Sequence, residues 1–122
     1  MFLAPSPEIV SESTRELAGD LFVYRELDTV RVVGRKQATR VFELVEHAGA
    51  PLPFPEEFLP LYEEGLRLFR ERRFAEAREK FGLALEMSPG DVPASLYVGR
   101  CDSFLASPPP ADWDGVFDLR EK

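Results

Sequence analysis

Two different hydrophobic rhythms divide the chain. From Leu21 to Glu46 the sequence LFVYRELDTVRVVGRKQATRVFELVE is dense in Val, Phe and Tyr, the residues that favour extended backbone. Two runs, VRVV and TRVFELV, flank the polar break Gly34, Arg35, Lys36 and Gln37. That arrangement predicts a β-hairpin closed by a loop of about four or five residues. In the second run Arg40, Phe42 and Leu44 alternate with Val41, Glu43 and Val45, a mixed pattern that leaves both faces partly covered. Ahead of the hairpin, PEIVSESTRELAGD supplies Ser11 as N-cap, Glu12 in a first turn and Gly19 as a C-terminal stop, predicting a short helix from Glu12 to Ala18.

Beyond Pro55 the period changes to that of a helix. Pro55, Glu56 and Glu57 suit a helix start, since proline fits the first turn and acids fit the positive end of the dipole. Phe58, Leu61, Tyr62, Gly65, Leu66, Leu68 and Phe69 then form an apolar face. A break at Glu71 to Arg73 precedes a second helix carrying Phe74, Ala77, Phe81, Ala84 and Leu85, stopped by Ser88, Pro89 and Gly90. Asp91 is placed to cap a third helix with Leu96, Val98, Cys101, Phe104 and Leu105 inward, ended by Pro108 to Pro110. The eleven prolines fall in four clusters at these boundaries. The expected fold class is α+β: a short helix and β-hairpin, then an α-helical hairpin and a third helix. The expected divisions are residues 1–47, a linker over 48–55, a helical domain over 56–107 and a Pro-rich, Trp-containing tail over 108–122.

Composition narrows the function classes. The 122 residues suffice for one domain or two small ones. A net charge of −7 disfavours nucleic acid and anionic lipid as partners. One Cys and one His leave no disulfide framework and no Cys/His zinc site within a single chain. No apolar run approaches the ~20 residues that span a bilayer, and MFLAPSP lacks the basic and apolar regions of a signal peptide. The expected setting is cytoplasmic, though a longer parent protein could carry a membrane anchor.

An internal period is visible in the helical part. Gly65 and Gly99 stand 34 residues apart. Gly65 lets two helices approach, Ala77 and Ala84 are small contact positions, Phe81 is the large residue between them, and Pro89 closes the unit. The segment GLRLFRERRFAEAREKFGLALEMSP therefore resembles one tetratricopeptide repeat, and Asp91 to Ser107 resembles the first helix of another. It departs from that pattern at Leu68, where an aromatic is usual, and at Leu61, where Trp is usual. An ordinary helical hairpin with an Ala/Phe seam is the alternative. Solenoids need about three repeats to stand alone, so a helical part this short should lean on the hairpin part or on another chain.

A second resemblance covers Ile9 to Val45. Ser11, Glu12 and Thr14, then Arg25, Glu26, Leu27, Asp28, Val30 and Val32, then Val41, Phe42, Glu43 and Leu44 match in order the closing segment of class III adenylate/guanylate cyclase catalytic domains. The run resembles a strand ending in Ser-Glu-x-Thr, a short helix, a strand, a basic turn and a last strand. Asp112, Trp113, Asp114 and Gly115 after Pro108 to Pro110 look like the tail of bacterial members that carry helical repeats. The resemblance implies that the metal-binding aspartates, the base-selecting residues and the Asn/Arg pair of a cyclase would fall before Met1. This chain would hold only the turn that offers a basic group to the phosphates. There Val33 replaces the usual first lysine, while Arg35 and Lys36 keep positive charge beside Gly34.

The candidate residues are weighed accordingly. Arg35 and Lys36, with Arg31 and Arg40, form a weak phosphate-binding candidate or else a solvated hairpin edge. Arg67, Arg70, Arg72, Arg73, Arg78 and Lys80 make either an acidic-peptide surface or a solvated charged face supported by pairs such as Glu76–Lys80. His47 lies isolated in a loop, Cys101 reads as a small core residue, and Trp113 as an anchor docking on the third helix. Gly65, Ala77, Phe81, Ala84, Pro89 and Gly99 are the seam residues of the repeat. The functional expectation is a regulatory or structural C-terminal portion of a cyclase, inactive alone. It carries no catalytic residue, metal site or cofactor of its own, and Mg or Mn belongs only to a complete cyclase. The expected partners are the remainder of a cyclase catalytic domain, a protein or peptide ligand, or a second copy in a homodimer. The alternative is a free-standing tetratricopeptide-like adaptor.

Overall fold

The computed structural model describes residues 8–32 and 37–119, and they form an α+β arrangement in two compact units. One unit takes residues 1–53 together with 116–122, and the other residues 54–115.

The first unit is built on a four-stranded sheet in the order β1-β3-β2-β4. Strand β1 (Glu8–Ser11) leads directly into α1 (Glu12–Ala18). The Ser11 hydroxyl accepts a hydrogen bond from the Thr14 amide, and Gly19 at φ 61° lets the chain leave the helix. A 3-10 turn, Gly19–Leu21, passes into β2 (Phe22–Val32) and then β3 (Thr39–His47), paired antiparallel as the hairpin pattern predicts. The register slips by one residue near Leu27 in β2 and again near Val45 in β3. Two strands flank the hairpin. The strand before Ser11 follows the cyclase-like pattern. β4 (Phe117–Leu119), running parallel to the end of β2, is too short to leave a sequence signal.

The second unit contains α2 (Phe58–Arg70), α3 (Phe74–Met87) and α4 (Val92–Ala106). α2 begins at Phe58 rather than at Pro55. The Phe58 amide donates to the Pro55 carbonyl in a turn that precedes the helix, so Pro55, Glu56 and Glu57 form its lead-in. Its far end closes as a Schellman motif: the Arg73 amide reaches the Leu68 carbonyl and the Arg72 amide the Phe69 carbonyl. The left-handed position that glycine usually fills there is Arg72, at φ 65°. Asp91 caps α4 by accepting from the Ala94 amide.

One core joins the three helices. Phe58, Tyr62, Leu66, Phe69, Phe81 and Tyr97 are buried, with ring contacts such as Tyr62–Phe81 at 5.6 Å and Phe81–Tyr97 at 4.9 Å between centroids. The inward face of α4 differs from the sequence expectation. Ala94, Tyr97 and Cys101 are the buried residues, while Leu96 and Leu105 are exposed. Three- and four-residue steps from Ala94 fix the buried stripe, and Leu96 falls off it.

Candidate functional site

Two charged groups stand out among the described residues of the sheet unit. On one face Arg25, only 4% exposed, lies directly opposite Glu43 in the β2–β3 register. Its Nε and Nη2 donate to Glu43 Oε1 at 3.2 and 2.6 Å. A guanidinium this deeply buried requires such a partner, because an uncompensated charge there would cost several kcal/mol. On the other face Phe42, also buried, lies between two guanidinium groups, with Arg15 at 5.1 Å and Arg40 at 5.5 Å from its ring centroid. Arg40 donates from Nη1 to Glu12 and from Nε and Nη2 to Glu26. The Glu26 bonds raise its already high pKa further. This network ties α1, β2 and β3 together.

Of the four basic residues considered for phosphate, Arg35 and Lys36 lie outside the described residues. Arg40 is committed to Glu12 and Glu26, and Arg31 is half-buried in β2. His47 closes β3, its ring 5.0 Å from that of Phe22, so it stands in a strand end rather than a loop.

In the helical unit the seam residues of the two helices meet. Ala77, Phe81 and Ala84 are fully buried. A Cβ added at Gly65 would stand 2.8 Å from the Phe81 ring, so the close approach of α2 and α3 requires glycine at that point. Pro89 is exposed in the turn between α3 and α4. Gly99 differs from Gly65, for it is exposed and a Cβ there would meet nothing. Trp113 packs edge-on against Phe69 at 5.4 Å and Phe104 at 5.3 Å, and lies 5.7 Å from Phe74. It therefore touches the ends of three helices.

Arg72 holds the segment that carries Trp113. Its Nη1 donates to the Pro110 carbonyl and its Nη2 to the Pro109 carbonyl, both at 2.9 Å, while the guanidinium sits over the indole. The sequence gives no sign of this role, because Arg72 sits in a run of Arg and Glu that reads as a solvated face.

Several of the remaining helical cations have local acidic partners. Arg67 pairs with Glu64 and Glu71, Arg73 with Glu76, and Arg78 of α3 with Asp102 of α4. The bond from Arg67 holds the Glu64 carboxyl below its ordinary pKa. These pairs are exposed and describe a solvated face. Cys101 is buried, and desolvation pushes its thiol up to about 11. Among the described residues no group of His, Cys, Asp or Glu is arranged to hold a metal ion. No helix among them is long and apolar enough to cross a membrane.

Comparison with characterised proteins points to one class of enzyme. Over 97 residues the chain is 30% identical to an adenylate cyclase of Dictyostelium discoideum described as terminal-differentiation specific. The match covers 76% of this chain but only 5% of that protein, so the chain spans a small fraction of its relative's length. This likeness supports a relationship to adenylate cyclases. No protein-family profile and no solved structure matches the chain.

Proposed function

We propose that this chain is a regulatory or structural C-terminal portion of a class III adenylate/guanylate cyclase, joined to a tetratricopeptide-like module for protein interaction. The observation that carries the reading is the extent of the likeness. A match over 76% of the chain must cross from the sheet unit into the helical unit, whose boundary lies between Pro53 and Phe54. The likeness therefore includes residues of both units, which supports reading them as parts of one cyclase-related chain. The β1–α1–β2–β3 order agrees with the motif order Ser-Glu-x-Thr, Arg-Glu-Leu-Asp and Val-Phe-Glu-Leu along the sequence.

Cyclisation requires metal ions to activate the ribose hydroxyl and to offset the triphosphate charge. The likeness covers only a small part of an adenylate cyclase, and on this reading turnover belongs to the longer protein. The role of this chain is to complete a catalytic sheet and to present its helices. Cyclase activity in the parent protein would use Mg or Mn held by residues outside this chain.

The glycine at the α2–α3 crossing, with Phe81 against it and Ala77 and Ala84 on either side, supports the repeat-like module. A free-standing adaptor is the second reading, favoured by the closed aromatic core that the helical unit has by itself. Incubation of the purified chain with ATP or GTP and either metal tests the division of labour. The expected result is no cyclic nucleotide. Turnover that disappears in Arg35→Ala or Lys36→Ala would overturn it. Co-purification with the part of the Dictyostelium cyclase that precedes its matched region separates the cyclase reading from the adaptor reading.

A further inference from the structure

The 34-residue spacing relates α4 to α2, and the two helices differ in what covers them. In α2 the stripe Phe58, Tyr62, Gly65 and Phe69 is buried, with α3 packed against it. Thirty-four residues on, the same stripe reads Val92, Leu96, Gly99 and Ser103. Val92 is 74% and Leu96 49% exposed, and Gly99 has open space over it. Two shallow, open depressions that share Ser95 and Leu96 lie along that stripe, one beside Pro89 and Val92 and the other beside Gly99 and Ser103, and together they make a shallow trough. Arg100, whose guanidinium stacks over Tyr97, stands on its border where α2 has Leu66.

We infer that this trough on α4 receives an amphipathic helix of another protein, one that presents a bulky aromatic between two small residues, as Ala77, Phe81 and Ala84 do on α3. The inference deepens the proposed interaction module and rests on the repeat reading. The packing of α2 on α3 supplies the template, and the trough continues the same stack by one layer. Glycine at Gly99 leaves room for a ring as Gly65 does for Phe81. Within the helical unit, the segment from Pro109 to Trp113 is held by Arg72 and by the rings around the indole, and α3 is packed between α2 and α4. A second copy could therefore fill the trough with α3 only by unfolding its own helical unit.

The test uses the full chain and a labelled synthetic peptide with the α3 sequence, Phe74 to Met87, as the probe. Saturable binding by fluorescence anisotropy is expected, weakened at least tenfold in the protein variant Gly99→Leu and in the peptide variant Phe81→Ala. Gly99→Leu fills open space, so its thermal melting should match the parent or exceed it; Leu96→Glu provides a second surface variant. Absence of binding overturns the proposal. Equal binding by Gly99→Leu also overturns it, since the peptide would then be replacing the chain's own α3. Concentration-dependent self-association abolished by Gly99→Leu would give the trough to a second copy and reject a foreign helix. Gly65→Ala tests the repeat reading separately: a lowered melting temperature is expected from the clash with Phe81, and unchanged melting would reject the α2–α3 template whatever the peptide does.

Discussion

Arg72 shows how one side chain supports an unfavourable backbone. A non-glycine residue in the left-handed region costs about 1 kcal/mol. Arg72 nevertheless holds two proline carbonyls and covers the Trp113 ring. Arg72→Ala keeps the strain and loses the contacts. Arg72→Gly loses the same contacts without the strain. Both variants should be less stable than the parent, with Arg72→Gly above Arg72→Ala by about 1 kcal/mol in urea unfolding. Trp113 fluorescence should shift to the red in both. Cys101 makes a second residue-scale prediction. Its thiol is held up to about 11 by burial, so the folded state keeps the proton where the unfolded chain loses it. Its contribution is full below about pH 9 and is lost as pH rises through 11. Stability of the parent should fall across that window more steeply than that of Cys101→Ala, and thiol reagents should label Cys101 only after denaturation.

At the scale of elements, the two glycines make opposite predictions from one sequence feature. Gly65→Ala forces its new methyl against the Phe81 ring and should destabilise the chain by about 1–3 kcal/mol. Gly99→Ala meets nothing and should stabilise it by up to about 1 kcal/mol through helix propensity. Ala77→Glu would bury a charge in the same seam and should cost several kcal/mol, read as a lowered melting temperature. Local chemistry made much of this legible. Ser11, Gly19, Asp91 and the Ser88–Gly90 stop fix the helix ends through capping, and the seam follows from the spacing of small and large residues. What the sequence left obscure depended on partners remote in the chain. β4 is three residues long and exists by pairing with β2. Arg25 and Glu43 are one charged pair among many until the strand register sets them opposite each other. Leu96 looked like core because an apolar residue near a buried stripe is one step away from belonging to it.

For the whole molecule, the sequence carries a cyclase resemblance in its sheet unit and a repeat-like spacing in its helical unit, and one match to an adenylate cyclase covers 76% of the chain. The phosphate candidates Arg35 and Lys36 lie outside the described residues, so their part is tested by function rather than by geometry. The central claim is that this chain supplies the end of a cyclase and no catalysis of its own. The most direct measurement is cyclic AMP formation by three samples: this chain, the part of the Dictyostelium cyclase that precedes its matched region, and the two combined. The account predicts turnover only in the combined sample, diminished by Arg35→Ala and Lys36→Ala together. Turnover by this chain alone, or none from the combination when the two pieces are folded and bound, would contradict it.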